Sequence, residues 1–164
     1  MNMRILGMLA GLALLGACSD KSTTDQAATG AGGAGAGGAG GAGSVTPGTQ
    51  EDLVANIGDR VFFDTDSSVV REDGRSTLQR QAQWMQQYPN VRVQVEGHAD
   101  ERGTREYNYA LGQRRANAAR DLLVAGGVSG SRVATISYGK DRPAALGSTE
   151  EAWAQNRRAV TVVR

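Results

Sequence analysis

One cysteine and one histidine are all that this 164-residue chain carries of the two side chains most used for covalent and metal chemistry. A single cysteine excludes an internal disulfide framework, and with one histidine beside it a metal centre built from those ligands is poorly supplied. An excess of charge of one sign is missing too: 18 Lys and Arg stand against 17 Asp and Glu. So balanced a chain shows no electrostatic footprint for nucleic acid or for an anionic membrane surface. Nor is there a long apolar run, since the stretch from Ile5 to Leu15 is too short to span a bilayer.

That short run has a different use. With Arg4 near its start and small residues at its end, Met1 to Ala17 has the layout of a cleaved secretory signal. Leu15-Gly16-Ala17-Cys18 resembles the bacterial lipobox, whose cysteine is lipidated and becomes the mature N-terminus. The competing reading is a signal that happens to end near a free thiol, which an exported protein with no disulfide partner gains nothing from. Ser19 in place of aspartate favours the outer membrane in the sorting rule that the lipobox resembles. Each buried methylene contributes about 0.8 kcal/mol, so two or more acyl chains anchor a protein stably.

From Cys18 to Gln50 the chain is dominated by Ser, Thr, Ala and Gly, with only Gly and Ala from Gly30 to Gly43. Such a segment cannot bury enough apolar area to offset its ordering entropy. It reads as a tether with a root-mean-square span of roughly 30 Å. The expected organisation is therefore a signal at 1–17, a lipidated cysteine and tether at 18–50, and one folded domain at 51–164.

Within that domain, Arg60 to Phe63 is a short β-prone run. Leu78, Ala82 and Met85 recur at helical spacing in a helix from Glu72 to Gln87, which Tyr88-Pro89-Asn90 ends. Residues 91–96 alternate strictly, so Val91, Val93 and Val95 face a core. A second helix runs from Arg105 to Ala125, with Tyr107, Leu111, Ala118 and Leu122 as its packed stripe and Gly126-Gly127 as its stop. Residues 132–138 read as a strand, 150–155 as a short helix and 159–163 as the last strand. The order β-α-β-α-β-α-β predicts an α/β domain of the two-layer α+β kind, with helices packed on a small mixed four-stranded sheet. Trp84 and Trp153 fall in helical segments and are expected in core or rim packing rather than on a carbohydrate platform.

Polar residues concentrate between Glu96 and Arg115, where Glu96-Gly97-His98-Ala99-Asp100-Glu101-Arg102-Gly103 turns from strand into helix. Three readings fit this loop. Glu96, His98 and Asp100 could form an acid–base or metal site, but no second ligand cluster or base-activated nucleophile accompanies them; Ser137 lies in a strand. Asp100 or Thr104 could cap the second helix while His98 bonds to backbone. Or the loop forms a binding site of both charge signs. Asn108 and Arg115 lie on nearly one face of the second helix, Arg115 offering a fork for a carboxylate and Asp100 an acceptor for an ammonium. A ligand with an amine and a carboxylate on one carbon would be gripped from both ends.

The stretch Val95 to Thr104, then Tyr107-Asn108 and Leu111-Gly112-Gln113-Arg114-Arg115-Ala116-Asn117-Ala118, resembles the peptidoglycan-associated lipoproteins of the Tol–Pal envelope system. The likeness continues through Ser137-Tyr138-Gly139-Lys140, Pro143 and Asn156-Arg157-Arg158-Ala159-Val160, and takes in the lipobox. The broader class is that of the outer-membrane protein A C-terminal-like domains. The resemblance implies a non-catalytic protein without cofactor or metal that binds the meso-diaminopimelate of the peptidoglycan stem, Asp100 taking the ammonium and Arg115 the carboxylate. Asp64, Asn108 and Leu111 complete the implied pocket, with backbone near Thr65, Gly97 and His98. It further implies outer-membrane anchoring through Cys18, and TolB and TolA as partners, TolB on a surface overlapping the pocket. Arg157 and Arg158 match family positions, and a structural role at the last strand fits them equally. Arg105 stands where a proline is usual, and the Ala/Gly tether matches in length and flexibility only. A lipoprotein that binds TolB-like partners but not the wall, and a hydrolase acting near His98, are the alternatives.

Overall fold

The computed structural model describes residues 45–164; the signal segment, Cys18 and the tether up to residue 44 lie outside the described residues. A helical turn, α1 (Gln50–Asp52), runs on as a wider π-type turn over Leu53–Ile57. There follow β1 (Arg60–Phe62), α2 (Glu72–Gln87), β2 (Val93–His98), α3 (Arg105–Ala125), β3 (Val133–Gly139), α4 (Glu150–Asn156) and β4 (Arg158–Val163). The sheet is four-stranded and mixed, in the order β1-β4-β2-β3. β2 and β3 pair in parallel across the α3 crossover, and β4 inserts antiparallel to both β1 and β2. The predicted α+β sandwich is the observed one. The opening turn was not foreseen: Gln50 earns its place through its side chain, which accepts from the Val163 amide at 2.7 Å.

Local chemistry explains the helix ends. Thr104 caps α3, its hydroxyl accepting from the Tyr107 amide, and Thr149 does the same for Ala152 in α4. Glu72 and Asp73 set negative charge at the positive end of α2. Gly127, at φ +93°, takes the left-handed conformation that ends α3.

The core lies between the helices and the sheet, with Leu78, Met85, Val93, Val95 and Leu123 each at most 2% exposed. Trp84 belongs to it, its indole N–H donating to Asp52 at 2.8 Å. β2 starts two residues later than the alternation predicts, and Val91 packs half-buried at the margin.

The packed face of α3 differs from the predicted stripe. Asn108, Leu111, Gly112, Arg115, Ala116, Ala119 and Leu123 are buried, whereas Tyr107 is exposed and Ala118 and Leu122 only half-buried. The helix is turned by about one position because it rests on β2 through glycine. A Cβ at Gly97 would lie 1.8 Å from the Gly112 carbonyl oxygen, so helix and strand meet backbone to backbone. Ser137 fixes the contact from β3, donating to the Tyr109 carbonyl at 2.7 Å and accepting from the Gly139 amide at 3.1 Å. Gly97→Ala is therefore expected to push α3 off the sheet and cost more than about 2 kcal/mol by overpacking, read as a lowered urea midpoint.

Candidate functional site

Three segments converge beyond the C-terminal end of β2: the loop after β1, the loop 99–104, and the first turns of α3. Between them lies a cavity of about 280 Å³ lined by Thr65, Asp66, Asp100, Arg102, Gly103, Tyr107, Asn108, Leu111 and Arg115.

Arg115 forms the back of the cavity and has no exposed surface. Its Nε donates to the Ser67 carbonyl at 2.8 Å, Nη1 to the His98 carbonyl at 2.8 Å and Nη2 to the Asp64 carbonyl at 3.1 Å. One guanidinium thus ties the loop after β1 and the last residue of β2 to α3. It also lies 5.2 Å from the Phe63 ring centre. Burial pushes its pKa down to about 10, against the opposing pull of Asp100, so it remains a cation at neutral pH.

Asp100 faces it across the cavity and is 7% exposed. Burial pushes its carboxyl pKa up, but hydrogen bonds and charge from Arg102, and a contact from Arg157, outweigh that and hold it below the ordinary value. Both loops have further ties. Asn108 donates its side-chain amide to the Arg102 carbonyl at 2.8 Å. Tyr107 donates its hydroxyl to Asp66, a non-glycine residue held at φ +54°. Such a backbone persists only where its surroundings over-determine it.

Of the residues singled out in the sequence, Thr65, Asp100, Asn108, Leu111 and Arg115 line the cavity. Asp64 takes part through its carbonyl, while its carboxylate is largely exposed and lies 4.0 Å from Arg71. Gly97 sits beneath Gly112, behind the cavity wall. His98 contributes its carbonyl to Arg115, while its ring packs against Tyr138 with centroids 5.6 Å apart. Its Nε2 lies 3.9 Å from Glu96 Oε2. Arg157 supports the site from outside, donating to the Phe63 carbonyl at 3.2 Å and pairing with Glu150 at 2.6 Å. Arg105 pairs with Asp141 at 2.7 Å on the rim.

The sequence reading missed Asp66, Arg102, Gly103 and Tyr107, all of which line the cavity. Their signal was adjacency alone: Asp66 ends the Asp-Thr-Asp turn, and the other three flank the Thr104 cap. Among the described residues no three His, Cys, Asp or Glu side chains gather as a metal site needs, and no helix is long and apolar enough to cross a membrane.

Known proteins resemble the chain over most of its length. Residues 62–157 match the OmpA family. The chain is 54% identical over 162 residues to the peptidoglycan-associated lipoprotein of Agrobacterium fabrum, covering 99% of this chain and 88% of that one. It is 39% identical to the peptidoglycan-associated lipoprotein of Pseudomonas aeruginosa, covering 96% and 97%. The crystal structure of the peptidoglycan-associated lipoprotein from Burkholderia pseudomallei superposes with a TM-score of 0.65 at 41% identity, over 69% of this chain and all of that one. The C-terminal domain of Helicobacter pylori MotB superposes with a TM-score of 0.61 at 25% identity, over 65% and 84%. The chain belongs to the OmpA family and, within it, to the peptidoglycan-associated lipoproteins.

Two outcomes follow from the burial of Arg115 and His98. Arg115→Ala leaves three carbonyls, two in the loop after β1 and one at the end of β2, without their charged donor and should destabilise the domain by about 3 kcal/mol or more, measurable by thermal unfolding. His98 is pushed from 6.5 down to about 4, by burial first and then by the nearby Arg158 charge. Between those values the unfolded chain binds a proton that the folded chain refuses. Its contribution to stability is thus complete above pH 6.5 and lost as pH falls toward 4. His98→Gln should shrink that acid loss when urea midpoints at neutral and acidic pH are compared.

Proposed function

We propose that the cavity between Asp100 and Arg115 receives the amino-acid end of meso-diaminopimelate in the peptide stem of peptidoglycan. The chain is then a non-covalent link between outer membrane and cell wall in the Tol–Pal system, serving envelope integrity and division. The observation that carries this reading is a fixed cation and a fixed carboxylate facing one cavity, both largely withdrawn from water. A centre bearing an ammonium and a carboxylate satisfies both at once. Leu111, 5% exposed, offers apolar contact for the methylenes of the same side chain. The family likeness adds independent support, since the relatives are named for association with peptidoglycan.

The rest of the assignment completes the link. Acylation at Cys18 holds one end in the outer membrane, residues 18–50 supply reach, and the domain from residue 51 supplies the grip. TolB, docking over the same loops, competes with the wall, and TolA is a further contact. A hydrolase reading finds less support in the loop, since the His98 ring packs against Tyr138 and is not among the side chains lining the cavity.

Sedimentation with purified sacculi tests this reading. The wild-type chain should co-sediment and leave the muropeptides intact. Asp100→Asn, which keeps the shape of the cavity, should lose about 2 kcal/mol or more of binding through the uncompensated charge. Retained binding in that variant sinks the pocket assignment. A wild-type chain that stays in the supernatant but captures TolB supports the interaction-only alternative, and cleaved muropeptide supports a hydrolase.

A further inference from the structure

The carboxylate that is to accept an ammonium is already held by a cation of the chain itself. Arg102 Nε lies 3.2 Å from Asp100 Oδ1, Nη2 lies 2.6 Å from Oδ2, and the Arg102 amide donates to Oδ1 at 3.1 Å. Arg157 Nη1 approaches Oδ2 at 3.5 Å. A carboxylate has roughly four acceptor sites; Arg102 bonds three times to this one and Arg157 stands over it, so an incoming ammonium must displace a cation already there. Two of the partners are fixed. One is backbone, and the other, Arg157, is itself buried and bound to Phe63 and Glu150.

The Arg102 guanidinium is the partner free to leave. Its side chain is 38% exposed, lines the cavity and reaches toward Thr65 Oγ1 at 3.5 Å. It lies 4.1 Å over the ring of Trp153, whose indole N–H donates to Glu101 at 3.1 Å. Arg115 has no such freedom, because three backbone carbonyls hold it.

We propose that Arg102 is the resident counter-ion of Asp100 and that the pocket fills by ion-pair exchange, the ligand's ammonium taking Asp100 while the displaced guanidinium turns to the ligand's carboxylate. This rests on the reading of the cavity as a diaminopimelate site. Exchange makes the resident cation a specificity device. A ligand with an ammonium alone breaks one ion pair to form one and leaves Arg102 without a partner. A ligand with both groups on one carbon returns a partner to each charge. Trp153, relieved of the cation on its face, reports the exchange optically.

Calorimetric titration of the full chain with two soluble stem peptides, identical except for diaminopimelate or lysine at the third position, tests the exchange. The wild-type chain should prefer the diaminopimelate peptide, and its tryptophan emission should shift on binding. In Arg102→Met the lysine peptide should bind about fivefold tighter than to wild type, because the competing occupant is gone. The preference for diaminopimelate should shrink in the same variant, and the emission shift should disappear. Arg102→Gln should behave likewise, and unchanged urea midpoints show that either variant is folded. Unchanged or weaker binding of the lysine peptide in both folded variants overturns the exchange. A wild-type chain that binds neither peptide overturns the pocket reading beneath it.

Discussion

A buried guanidinium holds this site together. Arg115 sits where α3 passes the ends of β1 and β2, and its donors end on carbonyls of the loop after β1 and of the last residue of β2. Burying a charge without compensation is costly, so the loops can take only conformations that supply those carbonyls. The cavity is what remains between loops ordered in this way. A structural role and the proposed recognition role therefore fall on one side chain, and damage to either reaches the other.

The helix that carries Arg115 is positioned by an absence. With no side chain at Gly97 or Gly112, α3 approaches β2 closely enough for backbone contact. That approach turns Asn108 and Arg115 inward and leaves Tyr107 outside to meet Asp66. Ser137 is part of the same joint. The polarity of the Glu96–Arg115 stretch is thus divided between two jobs. Asp100 and Arg102 face the cavity, while His98 and Gly97 serve the packing behind it.

Much of this architecture could be read from the amino acids. The bounds of α2 and α3 follow from apolar spacing, from a proline after one and from paired glycines after the other. That Asp100 and Arg115 line one cavity was legible through the family resemblance of their motifs, since the residues alone left capping and acid–base readings open. What periodicity could not give was the rotation of α3, because two of its buried positions are polar and one is glycine. The pairing of Arg102 with Asp100 was equally hidden, since it depends on how a loop folds back upon itself. Nor could the sequence give the insertion of β4 between β1 and β2, a long-range pairing without local signal.

The placement of Gln50 has a mechanical side. Its side chain bonds at the Val163 end of β4, whereas the cavity lies beyond the His98 end of β2. The antiparallel register, with Val93 opposite Val163 and Gly97 opposite Ala159, sets those two places at opposite ends of the sheet. A pull between the N-terminal segment and a molecule seated in the cavity therefore runs along the strands. The β2–β4 hydrogen bonds lie across that line and are loaded together in shear, rather than peeled one after another. The domain is strung to resist tension in the direction in which the proposed tether would apply it.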